Sequence, residues 1–364
     1  MRIAYGVQGE GMGHATRSDC VIEHLRSCGD TVEIFTSQRA YSFLKEKHPN
    51  VHRIKGFELT YKDDELLTTT STIDIIKKLP KGLIPTLRFV LERFLATKPE
   101  AVVTDHETFT ALIGRLLSIP VIYAGNIAIL ERTSIDEGVL AKRYPKLIVR
   151  ATSRLSSLRA TNYVIPTFFY PETKSSNVVL TDPVVRKSYA SLEPKRGSYL
   201  FVYHTTSTNE GLLRALKESG VESRIYGFGA RERDGNLIFS DFDEERFARD
   251  LAGSRAAVIG GGFTTMSEAL YLKKPVYCVP LKNHFEQLVN ANELEKRTFG
   301  EWHATPDGKS IFDFTLKTPL YEHYLRGYHT DPHSFEKTVR EVANIKKRAP
   351  RAHVGERILG VIGR

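Results

Sequence analysis

The chain has 364 residues, of which 41% are hydrophobic and 26% are charged, and its formal net charge is +9. This composition excludes a disordered chain, and the length favours two domains that each bury a core of their own. The basic excess indicates anionic partners, among them nucleotide phosphates, nucleic acid and an anionic lipid surface, or else a solvated surface that happens to be basic.

The three cysteines, Cys20, Cys28 and Cys278, form no C-x-x-C pair. Their number and spacing are typical of a reducing, cytoplasmic compartment without structural zinc. Residues 1–7 read as a core strand rather than a signal peptide. The most apolar stretch, 111–130, is broken by an arginine, a proline and an asparagine, so it predicts a buried helix and strand rather than a membrane span.

Short apolar runs alternate with longer amphipathic ones, which predicts α/β units around parallel sheets. In the first half the predicted strands are Arg2–Val7, Thr31–Thr36, Val51–Ile54, Ala101–Thr104, Val121–Ala124 and Asn162–Ile165, with helices that include Ala15–Ser27 and Thr108–Leu117. In the second half the predicted strands are Tyr199–Tyr203, Ser223–Tyr226, Leu237–Phe239, Ala256–Ile259 and Pro275–Val279, with helices at Asn209–Ser219, Phe247–Gly253 and Thr265–Leu272.

The repeated rhythm predicts two Rossmann-like domains, at 1–185 and 186–325, with a polar linker at Asp182–Gly197. After Trp302 the regular pattern weakens until a final helix at His333–Lys347. We expect residues 326–364, that helix and a basic tail, to form a separate C-terminal segment that packs back on the first domain.

A glycine-rich turn follows the first strand and leads directly into a helix, an arrangement that lets a ligand approach the backbone and the helix N-terminus. The glycines, at 9, 11 and 13, do not have the G-x-G-x-x-G spacing of a dinucleotide site. Arg39, after the second strand, keeps a 2′-phosphate and hence an NADP enzyme open as an alternative.

His14 lies in this turn, at the edge of the predicted sheet where ligands bind. Its ordinary pKa allows it to accept a proton from a hydroxyl group, although it is equally suited to capping its helix. Asp105 ends a strand at the same edge and is placed to orient the imidazole, with His106 and Glu107 as substitutes in either role.

A second strand, glycine turn and helix occur at Ala256–Leu272, and they predict a diphosphate cradle. Glu268, in the helix that follows, is suited to ribose hydroxyls, or it is simply a favourable charge near a helix N-terminus. Beyond the next strand, Glu286 and Gln287 offer the fixed polar partners that sugar hydroxyls require.

The order of these residues is specific. The run Gly260–Leu270, then Lys274-Pro275-Val276, Val279-Pro280, Glu286-Gln287 and Asn290-Ala291, resembles the donor-site block of GT-B glycosyltransferases, and Gly11-Met12-Gly13-His14 resembles their N-terminal loop. The nearest members are the lipid-linked N-acetylglucosaminyltransferase of peptidoglycan synthesis and the UDP-glucuronosyl and UDP-glucosyl transferases. The resemblance implies an α/β, GT-B fold in which two Rossmann-like domains face each other across a cleft.

The resemblance also implies roles for individual residues. His14 with Asp105 would be the general base, and Gly11, Met12 and Gly13 the acceptor-side loop. Glu268 would bind the ribose, Phe242 would form a wall for the nucleobase, and Glu286 and Gln287 would hold the sugar. Asn290 would also belong to the donor site. The diphosphate would be held by Gly261, Gly262, Phe263, Thr264 and Thr265 together with Thr205 and Thr206. Ile259 departs from the family, because many relatives have histidine there.

The reaction implied is an inverting transfer of a sugar, most simply from a UDP-sugar, to a hydroxyl acceptor without cofactor or metal. Residues 73–95 mix apolar and basic side chains, which suits a lipid-linked acceptor, a cell-envelope precursor or a peripheral membrane position as well as an ordinary helix pair with a solvated basic face. The alternatives are a sugar-nucleotide 2-epimerase of the same fold and, on charge alone, a nucleic-acid-binding protein.

Overall fold

The computed structural model describes residues 1–9, 12–55, 61–62, 65–66, 84–135, 160–204, 209–282 and 284–347. Several predictions lie outside these residues: those on Gly11, Thr205 and Thr206, on residues 73–83, and on the basic tail from 348 onward. All other predicted site residues lie within them.

The first domain is built on a parallel sheet of seven strands. Its strands are β1 (Arg2–Val7), β2 (Thr31–Thr36), β3 (Val51–Arg53), β6 (Ala101–Asp105), β7 (Val121–Ala124), β8 (Asn162–Pro166) and β9 (Val178–Thr181), in the spatial order β3-β2-β1-β6-β7-β8-β9. Two short strands, β4 (Tyr61–Lys62) and β5 (Glu65–Leu66), pair separately and antiparallel. The helices of this domain are α1 (Met12–Ser27), α2 (Gln38–Lys47), α3 (84–97), α4 (Thr108–Leu116) and α5 (Ile129–Arg132).

The second domain repeats this plan with six parallel strands. They are β10 (Leu200–Tyr203), β11 (Ser223–Tyr226), β12 (Leu237–Ser240), β13 (Ala256–Ile259), β14 (Val276–Cys278) and β15 (Gly300–Trp302), in the order β12-β11-β10-β13-β14-β15. Its helices are α6 (Lys187–Ala190), α7 (Glu210–Ser219), α8 (Glu244–Ala252), α9 (Phe263–Tyr271), α10 (Phe285–Lys296) and α11 (Gly308–Arg326). The predicted α/β architecture of two Rossmann-like domains is confirmed.

The strand order fixes where each sheet opens a ligand crevice. In the first sheet the chain runs outward from β1 to β3 and then returns to the other side of β1 as β6. In the second sheet β10 and β13 have the same relation. A crevice forms at the carboxyl ends of the strands at such a reversal. Both predicted glycine turns, after β1 and after β13, therefore lie at these reversals.

Apolar packing continues from one domain into the other. One cluster of buried side chains contains Phe168 of the first domain and Phe263 of the second, whose rings stack with centroids 6.3 Å apart. Arg297 covers the ring of the neighbouring Phe169 at 5.3 Å. This contact holds the carboxyl edge of one sheet close to that of the other.

The last described helix, α12 (Ser334–Lys347), belongs to the core of the first domain although it follows the second in sequence. Phe335, Val339 and Ala343 are fully buried there among side chains of β1, β6 and α1. Arg340 donates to Asp30, which also binds the N-terminal amine of Met1. The chain thus crosses between the domains twice.

Some predicted boundaries were wrong. Helix α8 begins at Glu244 rather than Phe247, because the Asp243 side chain accepts a hydrogen bond from Arg246 N and caps the helix earlier. Helix α9 begins at Phe263 rather than Thr265. Strand β9 was not predicted at all.

The largest omission is α11, in the stretch where the sequence pattern weakens. This helix buries Ile311, Phe314 and Leu325 but also exposes large apolar side chains, namely Phe312, Leu316, Leu320 and Tyr324, and it contains Pro319. Apolar residues on both faces remove the contrast from which a surface helix is predicted. Within the described residues, no helix combines the length and the apolar character needed to cross a membrane.

Candidate active site

The loop after β1 is held by close backbone packing. A Cβ atom at Gly9 would lie 2.0 Å from Ser37 Oγ, and Gly9 O accepts a hydrogen bond from Ala40 N at 3.3 Å. Gly9 therefore serves the contact between the loops after β1 and β2. Arg39, considered for a 2′-phosphate, is exposed in α2.

The start of α1 touches the second domain. Met12 opens the helix, and a Cβ atom at Gly13 would lie 3.0 Å from Thr264 Oγ1. Thr264 Oγ1 donates to Gly13 O at 3.4 Å. The acceptor-side loop and the predicted diphosphate turn, 251 residues apart in sequence, thus lie against each other.

His14 and Asp105 meet at this contact. Asp105 ends β6 and is 1% exposed, whereas the His14 side chain is 18% exposed. His14 Nδ1 lies 2.9 Å from Asp105 Oδ1. With an ionised carboxylate, Nδ1 carries the proton and Nε2 keeps its lone pair, so this ring can accept a proton from a hydroxyl group.

A third side chain, Arg17, completes the cluster and was not predicted. It lies one turn after His14 on α1, is 4% exposed, and donates to both oxygens of Asp105 at 2.7 Å. Burial by itself would raise the pKa of Asp105, but the charges of Arg17 and His14 lower it well below its usual range. Asp105 is therefore ionised wherever the protein is folded near neutral pH.

Arg17 also reaches toward the second domain through Asn126. Arg17 Nη1 donates to Asn126 Oδ1 at 3.0 Å, and Asn126 Nδ2 donates to Glu286 Oε1 at 2.7 Å. Glu286 lies in the first turn of α10 and was predicted to bind the sugar. Hydrogen bonds therefore connect the His14–Asp105 pair, through Arg17 and Asn126, to Glu286, a predicted sugar-binding residue on the other side of the cleft.

The two residues that follow Asp105, His106 and Glu107, have other roles than those that the sequence suggested. Glu107 caps α4, because its carboxylate accepts from Phe109 N at 2.7 Å and Thr110 N at 2.8 Å. It is buried and cannot replace Asp105 beside His14. His106 stacks near His14 with ring centroids 6.1 Å apart, and its Nδ1 lies 3.0 Å from Tyr123 Oη. Burial, and then the charge of His14, lower the pKa of His106 to about 3, so it stays neutral.

In the second domain a glycine turn joins β13 to α9. A Cβ atom at Gly261 would lie 2.4 Å from Gln287 O, whereas one at Gly262 would meet nothing within 4 Å. Gly262 is the N-cap and has no side chain to accept from the first-turn N–H groups, which favours an anionic ligand there. Thr264 and Thr265 are half-buried in this turn, and Phe263 packs inward.

Two predicted donor-site residues hold this turn and the loop beside it in place. Asn290 Nδ2 donates to Gly261 O at 2.9 Å, and Gln287 Oε1 accepts from Leu281 N at 2.8 Å. Both side chains are buried. Their observed contacts position the loops around the turn. Direct contact of Gln287 with the sugar, and of Asn290 with the donor, stays a prediction.

Glu268 has an unpredicted partner. Its carboxylate is fully buried and accepts from Arg186 Nε at 2.6 Å and from Arg186 Nη2 at 2.9 Å. Arg186 belongs to the segment between the domains and also approaches Glu244 at 3.3 Å. The role of Glu268 at a ribose stays a prediction, and any such ribose would share the carboxylate with Arg186.

Two further residues frame the second crevice. Phe242 follows β12, is 59% exposed, and packs on Phe247 with centroids 5.3 Å apart. Ile259 is buried where many relatives have histidine, but His204 at the end of the adjacent β10 lies 3.6 Å from a Cβ built at Gly260. The neighbouring strand therefore supplies a histidine close to the turn, which the linear sequence did not indicate.

Comparison with known proteins decides the family. The model of glycosyl transferase family 1 matches residues 1–319. The chain belongs to this family. A protein of Methanosarcina mazei described as an uncharacterized glycosyltransferase is 23% identical over 355 residues, covering 84% of this chain and 87% of the relative. The predicted glycosyltransferase activity is thereby confirmed at the level of enzyme class.

Solved structures of glycosyltransferases share the fold. MurG of Acinetobacter baumannii superposes with a TM-score of 0.61 at 15% identity over 96% of this chain and 99% of its own. Phytolacca americana UGT2, solved with UDP-2-fluoro-glucose and pterostilbene, has a TM-score of 0.67 at 13% identity over 94% and 98%. The spinosyn rhamnosyltransferase SpnG, solved with thymidine diphosphate, has a TM-score of 0.65 at 14% identity over 94% and 100%. The GT-B fold implied by the resemblance is confirmed.

Proposed function

We propose that this family member is an inverting glycosyltransferase that uses His14 as the base and a nucleoside-diphosphate sugar as the donor. The observation that carries the proposal is the juxtaposition across the cleft. The His14–Asp105 pair lies at the reversal of the first sheet, and Thr264 of the second-domain turn touches the residue that precedes His14. A base and an anion-binding helix end thus face the same space.

The proposed step is a single displacement. His14 Nε2 takes the proton of an acceptor hydroxyl while the hydroxyl oxygen forms a bond to the anomeric carbon. The bond from that carbon to the diphosphate oxygen breaks, and its electron pair leaves with the diphosphate. Asp105 holds the ring by Nδ1 and stabilises the imidazolium that forms, which is the role of the carboxylate in a catalytic triad.

For the leaving group we propose the N-terminus of α9. Its first-turn N–H groups and the Thr264 and Thr265 hydroxyls can stabilise the growing negative charge at a site that is fixed before reaction. These donors make a metal ion unnecessary for the step in our proposal. Full activity in excess chelator is the expected result, and loss of activity that Mg²⁺ or Mn²⁺ restores would contradict this part.

We propose UDP as the carrier, with Phe242 against the base and Glu268 near the ribose. Support comes from the resemblance of the donor block and from UGT2, which was solved with a UDP-sugar analogue. SpnG was solved with thymidine diphosphate, so the nucleobase has to be tested directly.

The acceptor in this proposal is a hydroxyl group on a lipid-linked cell-envelope precursor, reached from the cytoplasmic face of the membrane. The resemblance of the donor-site block to the lipid-linked N-acetylglucosaminyltransferase of peptidoglycan synthesis supports it. Within residues 73–95, however, Arg88 is paired with Glu92 and Arg93 with Glu33. These pairs reduce the attraction of two of the cations to an anionic lipid. Co-sedimentation with phosphatidylglycerol vesicles tests membrane binding, and recovery of the protein only in the supernatant would contradict it.

The donor is tested by calorimetric titration of the full chain with UDP, dTDP, GDP, ADP and NADP. We expect one diphosphate to bind and Glu268→Gln to weaken it about tenfold or more. Glu244→Gln, which alters the other carboxylate near Arg186, is the matched control. Binding of NADP alone would overturn the proposal.

NMR of the sugar product distinguishes inversion at the anomeric carbon from the 2-epimerisation that the alternative enzyme would perform.

A further inference from the structure

Asp105 bonds to two side chains, Arg17 and His14. Arg17 contacts its carboxylate through Nη2 at 2.7 Å to both oxygens and through Nε at 3.0 Å to Oδ2. His14 Nδ1 contacts only Oδ1, at 2.9 Å. Ser18 Oγ adds a longer hydrogen bond to Oδ2 at 3.3 Å. Most of the carboxylate's bonding is therefore directed at the guanidinium.

The shared carboxylate affects His14 electrostatically. A buried carboxylate next to a histidine favours the imidazolium form, because an opposite charge within about 4–6 Å stabilises the charged state. A guanidinium stays protonated, and Arg17 Nη2 lies 3.2 Å from His14 Nδ1. With neutral His14 the cluster of Arg17 and Asp105 carries no net charge, so protonating the ring adds an uncompensated positive charge.

We propose that Arg17 is a positioning residue that keeps the His14 imidazole neutral until a substrate proton arrives, by taking up the Asp105 charge that would otherwise hold an imidazolium. This inference rests on the proposed function in one respect, since only a base needs to begin the reaction unprotonated. The effect of Arg17 on the charge of His14 does not depend on the proposed reaction.

The other charged and titratable groups around His14 do not replace Arg17. From β6 and β7, His106 and Tyr123 bond to each other, and burial keeps both in their neutral forms by lowering the pKa of His106 and raising that of Tyr123. From α10, His284 is kept neutral because burial lowers its pKa, and Glu286 bonds to Asn126. Tyr5 of β1 has a pKa raised by burial. Among the described residues, Arg17 is thus the cation that bonds to Asp105 together with His14.

The experiment is an NMR titration of the His14 ring in the full-length protein, assigned with His14→Gln. We expect Arg17→Gln to raise the pKa of His14 by about 1 unit or more. Arg17→Lys keeps a cation and should shift it less. Arg26→Gln removes another arginine of α1, whose Nη1 lies 3.0 Å from His48 Nδ1, and should leave the pKa of His14 unchanged. A His14 pKa that moves by less than about 0.3 unit in Arg17→Gln overturns the proposal.

Removing Arg17 leaves a buried carboxylate without its main partner, so the effect of Arg17 is also measured in a background that lacks this charge. In Asp105→Asn the buried charge is gone, and the further change Arg17→Gln removes only the cation. Because the proposed effect of Arg17 passes through the Asp105 charge, Arg17→Gln should raise the pKa of His14 less in this background than beside an intact Asp105. An equal rise in the two backgrounds would overturn the proposal.

The activity readout separates this inference from the proposed function. If both hold, the acid limb of the kcat profile moves to higher pH in Arg17→Gln by the same amount as the His14 pKa. If the pKa shifts but the acid limb stays in place, Arg17 acts on His14 as inferred and His14 is not the base. If neither moves, the inference about Arg17 fails.

Discussion

Among the described residues, two aspartates bond to histidines, and one of these two pairs lies in the cleft. Asp105 holds His14 at 2.9 Å, and Asp19 holds His48 at 2.6 Å. The His48 side chain is 4% exposed and packed between α1 and α2, whereas His14 is 18% exposed. The Asp–His contact alone therefore does not identify a base, and the position of His14 at the sheet reversal is what supports its proposed role.

This difference predicts the effects of matched substitutions. Asp105→Asn removes the charge that orients and stabilises the His14 ring, so kcat should fall by a factor on the order of 10² to 10⁴ while donor affinity is kept. Asp19→Asn, on the same helix as His14, should lower thermal stability and leave kcat within about twofold. Steady-state kinetics and calorimetry on the two variants make the comparison. Equal kcat losses would contradict the assignment of His14.

At this scale the sequence allowed the pair to be predicted but not its partners. His14 follows β1 and Asp105 ends β6, and parallel strands bring such ends together at one edge. Arg17 and Asn126 lie in a helix and a loop with no local signal, and their roles appear only when distances are known. Arg186 could not be predicted, because it lies in the polar linker rather than at the end of a strand, and nothing in the sequence places it beside Glu268.

Among the elements, the turn into α9 combines a structural glycine with an open one. Gly261→Ala would drive a Cβ atom to 2.4 Å from a backbone oxygen of α10, so we expect a loss of about 1–3 kcal/mol in the free energy of unfolding. Gly262→Ala meets no protein atom within 4 Å and should keep its stability within about 0.5 kcal/mol.

The same pair of variants tests where the diphosphate binds. If it lies over the turn, the methyl group of Gly262→Ala enters its space and donor affinity falls about tenfold, or 1.4 kcal/mol, despite the intact fold. Thermal melting and calorimetric titration measure the two effects separately. Unchanged donor affinity in Gly262→Ala would show that the diphosphate does not bind over this turn.

Helix α12 supplies the second prediction at this scale. Phe335 is fully buried among side chains of the first domain, so Phe335→Ala should lower the free energy of unfolding of that domain by about 3–5 kcal/mol. Ile345 lies on the same helix but is 65% exposed, and Ile345→Ala should change stability by less than about 0.5 kcal/mol. Differential scanning calorimetry checks both, and a small effect of Phe335→Ala would contradict the packing.

Elements with a clear pattern were predictable, and elements defined by their surroundings were not. The strands β1, β7 and β13 have the predicted bounds, because strands buried on both faces read as continuous apolar runs. Helix α11 was not recognised, since Phe312 and Leu316 remain exposed beside its buried residues. Strand β9 is an edge strand with Val179 exposed, so its pattern is short and weak.

On the scale of the whole molecule, polar contacts fasten the two domains around the cleft. Asn126 bonds to Glu286, and Thr264 to the residue that precedes His14. Asn126→Asp would place a second carboxylate within hydrogen-bonding distance of Glu286, and like charges that meet in an interface repel strongly. We expect a more open molecule with a larger radius of gyration and a donor KM at least about tenfold higher.

Small-angle scattering and donor kinetics measure these effects. Glu286→Gln added to Asn126→Asp removes the repulsion and should restore the radius of gyration of the original protein. An unchanged radius in Asn126→Asp alone would show that the Phe168–Phe263 packing, rather than the polar contact, sets the closure of the cleft.

The placement of α12 has a consequence for synthesis on the ribosome. Domains fold as units, and the earlier one usually folds first. Here the first domain needs Phe335, Val339 and Ala343 to fill its interior, and these residues emerge only after the whole second domain. The second domain, contiguous from α6 to α11, can therefore reach its native state while the first still exposes apolar surface. We therefore expect chaperones to stay bound to the first half of the nascent chain until the last helix has been translated.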